Sequence, residues 1–174
     1  MNAKGTLIGI AALLVLGAPL SAQGQTVDFA QEPACQTLTA TSMGGPAPGS
    51  ANLLVLRYLG SANYEVAYRD TVLLLNAHYA RVYPARSLGF TPDEVTKATA
   101  ILIGHGHGDH MSDAPDVAQR TGAMLVGAPI TATQAKLMGL GGEQIIEVTG
   151  RGQATEVQTF GAVTVEPMLA RHGN

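Results

Sequence analysis

The chain has 174 residues, 46% of them hydrophobic and 13% charged, with a formal net charge of −3. That length fits one domain and that apolar content supplies a packed core, which argues against two ordinary domains and against disorder. No Lys/Arg cluster is present to exchange counterions with phosphates, so nucleic acid is not expected as a partner.

Lys4 precedes an apolar stretch, Leu7 to Leu20, that ends in the helix breakers Gly17 and Pro19 and is followed by the small residues Ser21, Ala22 and Gly24. This is the pattern of a secretory signal peptide over residues 1–24, with cleavage after Ala22 or Gly24, and it predicts a periplasmic or secreted protein. A spanning helix needs about 20 apolar residues, more than this run offers, so no stable membrane anchor is expected. Residues 25–50 carry Pro33, Pro46, Pro48 and three glycines among small polar residues, and read as a flexible leader or linker. Cys35, the one cysteine, falls within it and excludes an intrachain disulfide.

From residue 51 to 174 the texture is that of a folded domain. Leu53–Leu59, Asn63–Tyr68 and Thr71–Asn76 are short apolar or alternating runs separated by turn residues, and predict an antiparallel meander. The Arg69-Asp70 turn lacks the glycine that tight hairpins favour. Thr91-Pro92-Asp93-Glu94 is a capping box with proline at the first helical position, so a short helix should begin there. Thr99–Ile103 suits a buried strand. Ser112 is placed to cap a helix running to about Thr121, ended by Gly122, and Ala123–Val126 reads as another apolar strand. Thr131 is placed to cap a further helix carrying Ala135, Leu137 and Met138. Strands are expected near Gln144–Val148, Glu156–Phe160 and Val163–Leu169. Strands in mixed order with interspersed helices predict α/β layers.

The block that carries chemistry is His105-Gly106-His107-Gly108-Asp109-His110, which starts one residue beyond the predicted strand Thr99–Ile103. Residues two apart on extended chain point to one side, so His105 and His107 can offer two imidazoles to one point, while Asp109 and His110 can face a neighbouring point. Gly104, Gly106 and Gly108 remove side chains that would crowd a backbone bending around an ion. Imidazole and carboxylate are the donors a divalent ion such as Zn²⁺ accepts.

His105-x-His107-x-Asp109-His110 resembles the signature of the metallo-β-lactamase-fold superfamily, and Tyr58 to Val66 followed by Thr71 to Asn76 resembles that fold's opening strands. The likeness extends over roughly Leu53 to Asn174 and is nearest to the broad metal-dependent hydrolases of that superfamily. It implies an αββα sandwich of which this chain supplies the N-terminal half. It also implies a first metal held by His105, His107 and His172, a second served by Asp109 and His110, and a role for Asp109 in orienting the attacking water. Two departures stand out: Asn76 occupies the place of an aspartate at the end of the third strand, and Ser61 stands where a histidine is common. His78 reads as a surface loop residue. The sandwich's bridging aspartate and last histidine have no counterpart before residue 174, so the sequence is expected to be part of a longer reading frame.

The resemblance implies a metallo-hydrolase that uses one or two Zn²⁺, with iron or manganese as alternatives, on an ester, lactone, amide or phosphodiester bond of a small molecule. A non-catalytic exported metal-binding protein or decayed paralogue is the rival reading, and an iron-dependent oxidoreductase a third. No Gly-x-Ser-x-Gly elbow offers a serine nucleophile instead. Half a sandwich exposes one face of its sheet, which predicts self-association through that face.

Overall fold

A computed structural model of the chain describes residues 53–80, 88 and 90–170. The expected signal peptide, the linker with Cys35, and His172 lie outside these residues. Three short strands, β1 (Leu54–Tyr58), β2 (Tyr64–Tyr68) and β3 (Thr71–Leu75), form the expected antiparallel meander, in a register that sets Arg57 opposite Glu65 and Val66 opposite Leu73. The β2–β3 turn closes without glycine because Arg69 itself takes the left-handed conformation (φ 53°), with its guanidinium 5.2 Å from the Tyr68 ring centre.

Beyond β3 the sheet turns parallel. β4 (Ala100–Leu102), β5 (Met124–Gly127) and β6 (Ile145–Glu147) add in sequence order, giving a six-stranded mixed sheet β1-β2-β3-β4-β5-β6. Parallel neighbours need crossovers. These are α1 (Gly108–Met111) and α2 (Ala114–Thr121) between β4 and β5, and α3 (Pro129–Leu137) between β5 and β6. The parallel strands are apolar without alternation because both their faces are covered. On one face Leu74, Ile101 and Leu125 pack against Val117 and Ala118 of α2 and Ala135 of α3. On the other, Leu73, Ala100 and Val126 pack against Phe160, Val163 and Val165. Those last residues belong to a separate hairpin, β7 (Gln158–Phe160) with β8 (Val163–Val165). The order of layers is therefore helices, six-stranded sheet, second sheet: an α/β fold, as the sequence predicts. Thr71 fastens the hairpin to the meander: its hydroxyl donates to Phe160 O at 3.2 Å, and a Cβ on Gly161 (φ 55°) would lie 2.2 Å from the Thr71 hydroxyl oxygen.

Several boundaries differ from expectation. The capping box at Thr91 forms, with the Thr91 N–H donating to the Glu94 carboxylate at 2.6 Å, but it opens only a 3₁₀ turn, Pro92–Glu94. The helix expected from Ser112 is split in two. Ser112 closes α1 rather than capping α2, and its hydroxyl pairs with His78 Nδ1 at 2.7 Å. Gly122 does end α2, in the left-handed conformation (φ 74°). Helix α3 starts two residues before Thr131, because Pro129 fits the first turn, where a missing N–H costs nothing. Residues Ala154–Glu156 form a 3₁₀ turn, and β8 is shorter than the run Val163–Leu169. Among the described residues no helix is long and apolar enough to cross a membrane.

Candidate metal centre

The site grows from the C-terminal ends of β3 and β4. Backbone pairing carries on past both strands: Asn76 N donates to Leu102 O at 2.8 Å, and Ile103 N donates to Val126 O at 2.9 Å. Gly104 N then leaves the ladder and donates to the Asn76 side-chain oxygen at 3.1 Å. His107 has extended torsions (φ −78°, ψ 152°) and serves as the N-cap position of α1, while the chain bends through residues 104–107 before it turns helical at Gly108. The predicted juxtaposition still forms. The His105 and His107 rings stand edge to face with centres 4.4 Å apart.

The first turn of α1 brings Asp109 round to the same pair. Ligand atoms of His105, His107 and Asp109 all lie within 4.8 Å of one another. Donors around a tetrahedral ion stand roughly 3.4 Å apart for bonds of about 2.1 Å, so modest rotations close the set. His107 and Asp109 are exposed and His105 half-buried, which leaves room for those rotations and access for a ligand. The sequence reading set Asp109 beside His110 at a neighbouring point; in the structure Asp109 joins the first two histidines. His110 instead lies against His105, ring centres 3.9 Å apart, with its Nε2 3.8 Å from the Asp109 carboxylate. Its Nδ1 is buried without a hydrogen-bond partner. Imidazole, carboxylate and a buried ring nitrogen without a hydrogen-bond partner suit a borderline cation such as Zn²⁺.

A polar frame holds this loop. Asn76 is buried in the left-handed conformation (φ 63°); its side chain accepts from Gly104 N and donates to Ala62 O at 2.8 Å. The departure from aspartate therefore has a structural use, since a carboxylate cannot donate to Ala62. Asn63 is fully buried, donates to Gly60 O and His78 O at 2.8 and 3.1 Å, and accepts from His78 N at 2.9 Å. Asp113 accepts from Tyr79 N and Ala80 N at 2.5 and 2.8 Å, while Ala77 N donates to His110 O at 2.8 Å. Burial, and then the nearby Glu65 and Asp113 charges, hold the Tyr79 hydroxyl above its ordinary pKa, so it stays protonated. His78 is half-buried rather than on the surface and lies outside the donor group. Ser61, where a histidine was expected, takes a left-handed turn conformation (φ 54°).

Beside Gly104 and Asn76 a cavity of about 340 Å³ opens between the two sheets, walled by Leu102, Val126, Val165 and Met168, with Thr149 on its rim. Sequence reasoning found the donor block but passed over Asn63, Asp113 and Gln134, and read Thr131 only as a helix cap. Asn63 directly follows a Gly-Ser-Ala turn, the one local sign that it has a structural role.

No family model matches the chain. Curated relatives do. A UPF0173 metal-dependent hydrolase of Methanopyrus kandleri is 33% identical over 95 residues, 55% of this chain and 40% of that protein. A UPF0173 metal-dependent hydrolase of Thermococcus onnurineus is 36% identical over 74 residues, 42% of this chain and 31% of that protein. Over 36 residues, 21% of this chain, identity to the protein of the same description from Carboxydothermus hydrogenoformans is 56%, covering 16% of that protein. The chain thus spans less than half the length of these relatives. Among solved structures, Igni18, a novel metallo hydrolase from the hyperthermophilic archaeon Ignicoccus hospitalis, overlays with a TM-score of 0.38 at 21% identity, over 55% of this chain and 40% of that one.

Proposed function

We propose that this relative of the UPF0173 metal-dependent hydrolases is itself an exported metal-dependent hydrolase of small molecules. The observation that carries the reading is the convergence of His105, His107 and Asp109 within 4.8 Å, on a loop whose first residue, Gly104, lines an apolar cavity. In this reading His105, His107 and Asp109 hold the ion, with His110 and His172 as further ligands from the same loop and from the chain's last residues. Zn²⁺ is the ion that suits this donor set; iron or manganese would be revealed by metal analysis. When bound, such an ion supplies water activated to a pKa of about 7, a nucleophile at neutral pH.

The protein's own groups do the rest. Asp109, exposed beside both imidazoles, is an acceptor for a proton of the attacking water. Asn76 ties Gly104, at the head of the loop, to the end of β3, so the donors meet substrate already aligned. The cavity walls receive the apolar part of a substrate and exclude water from the scissile ester, lactone, amide or phosphodiester. Lys4 and the apolar segment after it direct the product to the periplasm or the medium.

The test is a panel of esters, lactones, amides and phosphodiesters offered to protein of known metal content. Turnover that requires stoichiometric metal and falls at least about a hundredfold in His105→Ala supports the reading. Stoichiometric metal with no turnover on any member would instead mark a binding protein, and no metal at all would remove the centre itself.

A further inference from the structure

Gly106 sits between the two histidines, and it is the glycine of this block that lies hard against another element. A Cβ there would come within 2.2 Å of Gln134 Oε1 and 3.4 Å of Thr131 Oγ1, both on α3. The same construction meets nothing within 4 Å at Gly108, and at Gly104 meets only the Asn76 oxygen, at 3.7 Å. The bare backbone of the histidine loop therefore rests on one edge of α3. Thr131 sets the height of that helix: its side chain is fully buried and wedged against the end of β5, where a Cβ on Gly127 would stand 2.7 Å from Thr131 Cγ2. Gln134, three residues on, shares its side of the helix and reaches the loop.

Both side chains are polar, and neither oxygen is used within the fold. Thr131 Oγ1 and Gln134 Oε1 are buried without a hydrogen-bond partner, as is His110 Nδ1 on the other flank of the loop. Orphaned buried polar atoms are unfavourable and rare, and call for a partner that another state of the protein supplies. A metal ligand of the imidazole type has such a partner to give. Once one ring nitrogen is taken by the ion, the other carries a proton and points away from it, and a fixed acceptor there sets the tautomer and the ring plane.

We infer that Gln134 is a positioning residue of the metal centre: its Oε1 accepts an outward imidazole N–H of the His105/His107 pair in the metal-loaded protein, with Thr131 holding α3 at the height this needs. The inference rests on the reading that those histidines hold a metal. It makes α3 an outer wall of the centre.

The experiment uses the full chain, with Zn²⁺ as probe in competition against a chromophoric chelator, Co²⁺ absorption as a second signal, and the melting temperature of metal-free protein alongside. Gln134→Met keeps the length of the side chain and removes the oxygen. It should weaken Zn²⁺ binding by about 10- to 100-fold and alter the Co²⁺ spectrum, while the metal-free protein melts no lower than the parent, because an unsatisfied buried acceptor has gone. Gln134→Glu retains an acceptor and should restore the affinity. Parental Zn²⁺ affinity in Gln134→Met overturns the inference, as does a metal-free melting temperature that falls together with affinity, the mark of a merely structural contact. Should Gln134→Met not fold, Gln134→Glu decides alone: parental affinity and Co²⁺ spectrum support the inference, and their loss in folded protein overturns it. A parent that binds no Zn²⁺ would bring down the metal-centre reading itself, before any variant is compared.

Discussion

At position 76 the backbone and the side chain ask for the same residue. A φ of 63° is tolerated by asparagine and aspartate far better than by alanine, and only an amide can accept from Gly104 N while donating to Ala62 O. Asn76→Ala should therefore lose about 2–4 kcal/mol of stability, combining two abandoned backbone partners with left-handed strain. Asn76→Asp keeps the acceptor and the conformational tolerance, so its loss should be smaller, about 1–3 kcal/mol. Urea denaturation of metal-free protein checks both values; parental stability in Asn76→Asp would show that the bridge to Ala62 contributes nothing, and equal losses in the two variants would show that the bond to Gly104 and the left-handed strain contribute nothing. The donor block itself was legible in the sequence because three histidines and an aspartate stand within six residues directly after a buried strand, so a short loop brings them together although it bends through 104–107. Asn63 and Gln134 were not. Asn63 meets His78 across 15 residues, Gln134 stands 28 positions from Gly106, and no local pattern encodes such meetings. The position of Asp109 falls between these cases: it depended on where α1 begins, and that start is set at Gly108 rather than at a cap further on.

Elements whose burial alternates, or whose two faces are both covered, were read closely from sequence, while elements set by competing side-chain bonds were not. Strands β1 to β5 fall within a residue or two of the expected runs because their apolar spacing is what packs the two cores. Ser112 and Thr131 have good capping side chains, yet one pairs with His78 and the other is buried under the sheet end, so tertiary contacts displaced the local preference. The link from β6 to β7 shows the same competition. Glu156 accepts from Thr149 N, and from Arg151 N at 3.2 Å, binding the turn back on itself. These hydrogen bonds, Thr149 first, hold its carboxyl below the ordinary carboxylate value of 4.5. Because the folded pKa is the lower one, the carboxylate stabilises the fold at pH above about 4.5, and that contribution fades as pH falls through the folded value. Glu156→Gln should accordingly melt below the parent at neutral pH, with the two curves converging in acid. A gap in melting temperature that stays constant from pH 7 down to the acid limit would assign the effect to packing instead.

On the scale of the whole molecule, the β7–β8 hairpin covers only part of the sheet it packs on. Leu73, Ala100 and Val126 lie beneath it, but the same face continues across β2 and β1, where Leu54, Leu56 and Tyr58 are 58%, 61% and 62% exposed and Tyr64 is 36% exposed. β1 is also the end of the strand order, so among the described residues its outer edge has no neighbouring strand. An apolar strip beside an open edge is the arrangement that proteins usually blunt with charge, and here the one charged residue of β1, Arg57, turns to the opposite face to meet Glu65 at 3.3 Å. We propose that a second copy of the chain fills this strip, edge to edge and face to face. The 174-residue chain should then elute as a dimer or larger species at micromolar concentration. Leu56→Lys places a charge in the middle of the strip without touching either core, so it should release monomer while leaving the secondary structure unchanged. A parent chain that runs as a monodisperse monomer would refute the pairing, and a longer product of the same gene that is monomeric would show that further strands of its own chain take the place of the second copy.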